Sequence, residues 1–230
     1  MEPAVLDLAD PVRGRPLPTT VYVPASGPDA PLVVFCHGFW GHPRKFTRLL
    51  ARWAEAGYLV AAPTFPHTND AKPPPYLIED VASQPADVSF VIDELLARGL
   101  GDPGRVGVGG FSLGGETALA VALHPAYADE RVGAVSAVAG GLHHPDFATD
   151  RLRPLPLLLV HGATDANVPH AEAVAVYAAA HEPKDLVTLE SAGHHICEDG
   201  APHAAHVADL TTAFWDRYLR PAPPTTAAAS

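Results

Sequence analysis

The chain has 230 residues, enough for one domain with a full core, and 47% of them are apolar, which excludes an intrinsically disordered chain. The formal net charge of −11 argues against a nucleic-acid partner, because a phosphate backbone needs clustered Lys and Arg. No apolar run approaches the ~20 residues that span a bilayer, and Met1 to Thr20 lacks the apolar core of a signal peptide, so a soluble, cytoplasmic protein without a membrane partner is expected.

In chain order, short apolar runs alternate with stretches of helical spacing, the pattern of an α/β fold with a largely parallel sheet. Thr19 to Val23 reads as an early strand, and Leu32 to Cys36 as a strand buried on both faces, because its apolar run is unbroken. Phe46, Leu49, Leu50 and Trp53 fall on one face of a helix over Phe46 to Ala56, which Gly57 ends before a strand at Tyr58 to Ala62. Pro63 to Pro85 holds six prolines and predicts a long loop with at most a short helix inside it. It leaves the C-terminal end of a strand, where ligands bind in open α/β sheets, and is expected to form one wall of a substrate pocket. Helices are predicted over Ala86 to Arg98, Leu113 to Leu123, Ala171 to Ala180 and His203 to Leu219. Strands are predicted over Arg105 to Gly110, Val132 to Ala139, Leu155 to Val160 and Leu186 to Glu190. Residues 1–220 read as a single domain, and the Pro-, Thr- and Ala-rich tail 221–230 as a disordered end. Cys36, closing an apolar strand, reads as a buried free thiol, and neither it nor Cys197 has Cys-x-x-Cys spacing.

Gly110-Phe-Ser-Leu-Gly114 fits the G-x-S-x-G pattern between a strand and an Ala-rich helix. The requirement is steric: small residues two before and two after the serine let strand and helix approach closely. Ser112 then projects from a helix N-terminus, where the dipole favours developing negative charge. The alternative is a serine that merely caps the helix. Asp165 follows the apolar run Leu157-Leu-Leu-Val160, so an acid sits just past a strand end. His194 follows Ser191-Ala-Gly193 after the last strand, a turn that would swing an imidazole toward Ser112. A serine hydroxyl is a weak nucleophile until a base takes its proton, and the base needs an acid on its other nitrogen to fix its tautomer. The chain order Ser, Asp, His suits that task. His195 competes with His194, which is preferred because it directly follows Ala192-Gly193; the unused histidine would line the pocket or face solvent. Oxyanion donors are expected from the backbone N–H of Leu113 and of Phe39, in the loop Cys36-His-Gly-Phe-Trp-Gly41.

These residues resemble those of the dienelactone-hydrolase-like and platelet-activating-factor-acetylhydrolase-like esterases and, more distantly, the bacterial cutinase-type polyester hydrolases. The resemblance runs from about Thr19 to Leu219. It is carried by His37-Gly38-Phe39, Gly57-Tyr58, Gln84-Pro-Ala-Asp-Val88, Gly110 to Gly114, Asp165 and Gly193-His194. It implies an α/β-hydrolase fold, an eight-stranded, mostly parallel sheet flanked by helices, and ester hydrolysis through an acyl-serine. It implies Ser112 as nucleophile, Asp165 as acid, His194 as base and Phe39 and Leu113 as oxyanion donors. True dienelactone hydrolases carry a cysteine where this chain has Ser112, and cutinase-type enzymes are secreted and usually carry a C-terminal disulfide; both departures argue against those particular activities.

Only about 15 residues separate the strand ending near Ala139 from the one starting near Leu155, too few for a helical cap, so an open site is expected. Trp40, His67, Leu142, Val168 and His195 are the expected pocket residues beside Phe39 and the proline-rich loop. No histidine pair has ligand spacing, so neither a metal nor another cofactor is expected. The expected partner is a small or extended ester. Thioester or lactone chemistry on the same three residues, polyester hydrolysis of the cutinase type and a non-catalytic binding protein on the same fold are the alternatives.

Overall fold

The computed structural model describes residues 2–72, 74–149 and 151–220, so the tail expected to be disordered lies outside the described residues. Its eight strands are β1 (Ala4–Asp10), β2 (Arg15–Tyr22), β3 (Pro31–Cys36), β4 (Leu59–Pro63), β5 (Asp102–Phe111), β6 (Val132–Val138), β7 (Leu157–Gly162) and β8 (Lys184–Leu189). The helices are α1 (Thr47–Glu55), α2 (Gln84–Ala97), α3 (Leu113–Leu123), α4 (His170–Ala179) and α5 (Ala204–Leu219). The strands form one sheet in the order β1-β2-β4-β3-β5-β6-β7-β8. The β1–β2 and β2–β4 pairings are antiparallel and all the others parallel.

Period-two alternation divides the core into two layers. Leu32, Val34 and Cys36 of β3 pack with α2, α3 and α4, whereas Val33 and Phe35 pack with α1 and α5. Helix α1 returns the chain to β4 on one side of β3, and α2 carries it back to β5 on the other. A right-handed crossover in each direction therefore places the two helices on opposite faces. The reversal opens a crevice beyond the C-terminal ends of β3 and β5, where Cys36 pairs with Gly110. The glycines of β5 admit two tryptophans: a Cβ on Gly107 would lie 3.0 Å from the Trp215 ring, and one on Gly109 3.1 Å from the Trp53 ring. Those rings meet edge to face, 5.7 Å apart.

Several elements depart from expectation: β2 begins at Arg15 rather than Thr19 and β5 at Asp102 rather than Arg105, because prolines and charged residues at these strand starts mask the apolar signal. β1 is a strand that the sequence reading lacks, because only Leu8 and Asp10 of its seven residues are buried and the apolar signal is weak. It forms a hairpin with β2, turning at Gly14, whose φ of 63° suits glycine. Helix α2 starts at Gln84 rather than Ala86, with Pro85 in its first turn, where a missing N–H costs nothing. Between β6 and β7 the described residues contain a single 3-10 turn, Pro145–Phe147, and no helical cap. Cys36 and Cys197 are both buried free thiols.

Candidate active site

Ser112 stands between the last residue of β5 and the first of α3 with φ 55° and ψ −124°, a left-handed strain for a residue with a Cβ. Its N–H donates to the Val138 carbonyl at 2.9 Å, and its own carbonyl accepts from the Glu116 N–H at 3.1 Å. The flanking glycines are required by contact. A Cβ on Gly110 would lie 2.0 Å from the Gly114 carbonyl oxygen, and one on Gly114 would lie 2.1 Å from the Cys36 carbonyl oxygen. Strand, helix and the end of β3 are thus pressed together at the serine, which carries its hydroxyl out over the crevice.

Three side chains then stand in a row. His194 Nε2 is 2.9 Å from Ser112 Oγ, and His194 Nδ1 is 2.7 Å from Asp165 Oδ2. The other Asp165 oxygen accepts the N–H groups of Asn167 at 2.9 Å and Val168 at 3.0 Å. Burial pushes the Asp165 carboxyl up, but the hydrogen bonds from His194, Val168 and Asn167 outweigh it and hold it below the usual carboxylate range. The Phe111 ring lies 5.0 Å from the His194 imidazole and backs it. Of the two adjacent histidines, His194 is in the row. His195 points to the lip of the cleft, with its Nδ1 2.5 Å from Glu198 Oε2.

His37 explains how the Phe39 N–H is aimed. Its Nε2 accepts from the Phe65 N–H at 3.1 Å, so the ring proton sits on Nδ1, which donates to the Gly38 carbonyl at 2.8 Å. Burial pushes this imidazole down to about 4, which keeps it neutral. C=O and N–H point in opposite directions across a trans peptide. Tying back the Gly38 carbonyl therefore turns the Phe39 N–H toward the crevice. Neither the Phe39 nor the Leu113 N–H donates to a protein acceptor among the described residues.

The cleft over Ser112 has a volume of about 400 Å3. Phe39, Trp40, Ile78, Leu113, Val168 and His143 are among the residues that wall it. Trp40, Val168 and His195 stand where expected; His67 and Leu142 do not. The His67 carbonyl accepts from the Leu77 N–H at 3.0 Å, which folds the proline-rich loop back and leaves His67 in solvent while Ile78 faces the cleft. Leu142 packs down toward Phe147 in a separate hollow, and the next residue, His143, faces the cleft in its place. The loop is a wall only at its far end, where the Tyr76 ring stands 6.3 Å from those of Phe39 and Trp40. Thr64, Pro66, Asn69, Ala71 and Lys72 face another hollow, against β1 and β2.

Sequence reasoning also missed His161, buried beneath the acid with Nε2 3.3 Å from Asp165 Oδ2 and 2.9 Å from the Val168 carbonyl. It missed Glu116, fully buried in the first turn of α3. A carboxylate in an otherwise Ala- and Leu-rich helix was the available signal for Glu116.

A model of the dienelactone hydrolase family matches residues 17–219. No curated protein matches the chain. Among solved structures, the esterase domain of a Rhodothermus marinus protein is 20% identical with a TM-score of 0.71, over 96% of this chain and 100% of that one. The Thermogutta terrifontis esterase Est2, described with butyrate bound, is 19% identical with a TM-score of 0.73, over 96% of both chains. The Pyrococcus horikoshii acylaminoacyl peptidase is 17% identical with a TM-score of 0.76, over 98% of this chain and 43% of that one. At these identities the likeness establishes the fold, which is that of the α/β hydrolases.

Proposed function

The chain belongs to the dienelactone hydrolase family, and from that premise we propose that it is a serine hydrolase of carboxylic esters, with Ser112 as nucleophile, His194 as general base and Asp165 as the acid that orients the base. The observation that carries this reading is the unbroken row Ser112–His194–Asp165. An ester carbonyl carbon entering the cleft is attacked by Ser112 Oγ as its proton passes to His194 Nε2. Asp165 stabilises the imidazolium that forms. The carbonyl oxygen takes up negative charge between the Phe39 and Leu113 N–H groups, each such donor being worth about 3 kcal/mol. His194 returns the proton to the departing alcohol, leaving an acyl-serine. It then takes a proton from water as the water oxygen attacks the acyl carbon, and passes that proton to Ser112 Oγ as the C–Oγ bond breaks, releasing the carboxylic acid.

The cleft favours uncharged esters. Its mouth carries the exposed apolar side chains of Phe39, Trp40 and Ile78, against which an acyl or alcohol chain can lie. The short β6–β7 connection leaves room for that chain to run out of the site. The Thermogutta terrifontis esterase described with butyrate bound supports including a short acyl chain among the esters tested. The test is hydrolysis of p-nitrophenyl esters from acetate to long acyl chains, with wild type and Ser112→Ala side by side. The variant is expected to lose ~10⁴-fold or more in rate, and a fluorophosphonate probe is expected to label the wild type alone. A wild type that turns over none of these esters and takes no label overturns the reading.

A further inference from the structure

The buried carboxylate of Glu116 serves no step of the reaction described, yet it faces the cleft wall. Its Oε1 accepts two backbone N–H groups of the rim, from His143 at 2.7 Å and His144 at 2.6 Å. The rim is close enough for this because glycine meets glycine beneath it: a Cβ on Gly115 would lie 3.2 Å from the Gly140 Cα. Oε2 is sealed from solvent and has no hydrogen-bond partner. The His143 Nε2 lies 3.2 Å from it, at ion-pair distance without hydrogen-bond alignment. The Glu116 side chain is 0% exposed and that of His143 42%, and the His143 ring forms part of the cleft wall.

We infer that Glu116 and His143 act as a specificity pair, in which the imidazole donates a hydrogen bond to an oxygen on the substrate, beyond the scissile ester group. Net charge is costly to bury, so the pair holds the proton that neutralises it. Burial pushes the Glu116 carboxyl up, against the hydrogen bond from the His144 N–H and the charge of His143. That proton has two places, on Oε2 facing a bare Nε2 or on Nε2 facing a carboxylate. Both leave a hydrogen on Nδ1, the nitrogen that makes no hydrogen bond among the described residues. With His143 part of the cleft wall, Nδ1 is its nitrogen available to a substrate oxygen. An ether, hydroxyl or carbonyl oxygen set to meet it is bound more tightly than the methylene it replaces. This inference rests on the esterase reading and names a feature of its substrate.

Two isosteric pairs test it: p-nitrophenyl methoxyacetate against butyrate, and 2-methoxyethyl acetate against butyl acetate. In each pair an oxygen replaces one methylene, on the acyl side in the first and on the alcohol side in the second. Intrinsic reactivity cancels when the kcat/KM ratio of a pair is compared between wild type and variant. In one pair, His143→Leu is expected to lower the preference for the oxygen by about tenfold, the worth of one hydrogen bond. His143→Gln, which keeps a donor, is expected to retain part of the preference. So is Glu116→Gln, whose amide oxygen still accepts the two rim N–H groups and whose amide nitrogen can donate to Nε2. Unchanged ratios in both pairs, with butyrate still hydrolysed and Ser112 still labelled, overturn this inference and leave the esterase reading intact. A wild type that is inactive on all four esters and takes no label overturns both.

Discussion

Asp165 remains charged in a buried place because three donors converge on it, and this dictates what its amide would do. In Asp165→Asn, one oxygen can still accept the Asn167 and Val168 N–H groups, as Asp165 Oδ1 does. The amide nitrogen then faces His194 Nδ1 and donates to it, so the ring proton moves to Nε2, opposite Ser112. In that tautomer His194 cannot accept the serine proton. We expect kcat to fall by ~10⁴, with the circular dichroism spectrum preserved and fluorophosphonate labelling slowed in parallel. Labelling at the wild-type rate would show that Asp165 does not set the tautomer. All three residues of this row are legible in the sequence, because each follows an apolar run and the turns beside Ser112 and His194 are made of small residues. His37 is legible only as part of a turn: the hydrogen bond that sets its tautomer depends on where the Phe65 N–H arrives from the loop after β4. The exchange of Leu142 for His143 at the cleft wall has the same cause. Which of two neighbours faces inward depends on Glu116 gripping the backbone across the gap, and spacing along the chain does not encode that.

Elements were easier to read than their moorings. Most helices and strands follow their apolar periodicity to within a few residues, whereas the course of the proline-rich loop is set by polar side chains from elsewhere. Arg15 on β2 spans Asp80 of the 3-10 turn Ile78–Ser83 and Asp87 of α2. Gln84 donates to Thr68 at 3.0 Å and accepts from Thr117 of α3 at 2.6 Å. The motif Gln84-Pro-Ala-Asp-Val88 thus ties the loop carrying Ile78 to the helix that begins just after Ser112. Asp87 is fully buried and Arg15 nearly so, so removing one partner strands a buried charge. For Asp87→Ala we expect a loss of about 3 kcal/mol of stability, the low end for a broken buried pair, because Asp80 still holds Arg15. KM for p-nitrophenyl butyrate should rise while kcat holds, because the wall at Ile78 loosens and Ser112 does not move. Urea unfolding and steady-state kinetics on the same preparation check both halves. A fall in kcat with unchanged KM would place the motif's influence at Ser112 instead.

At the scale of the whole molecule, the neutral imidazole of His37 makes stability depend on pH. Burial holds its folded value at about 4, against 6.5 when exposed. As pH falls through that window the unfolded chain takes up a proton that the folded chain refuses, so stability is complete above about 6.5 and is lost progressively toward about 4. A gap of this size corresponds to about 3 kcal/mol. Burial pushes His42, His124 and His161 the same way, and they add to the loss. Glu116 and Asp87, raised by burial, act with the opposite sign: their contribution is present at low pH and fades as pH rises through their folded values. The carboxylates held low, Asp165 and Asp129 among them, withdraw their support only below the ordinary carboxylate range. The decline should therefore begin in the histidine window, before most carboxylates titrate. Urea unfolding of wild type and His37→Asn, followed in steps from about pH 7.5 to about 4, isolates the contribution of His37. The variant should be less stable throughout but lose about 3 kcal/mol less than wild type across the window, so that the two curves converge as the pH falls. Parallel curves would mean that the crevice admits water to His37 and that its N–H, rather than its neutrality, is what the fold requires.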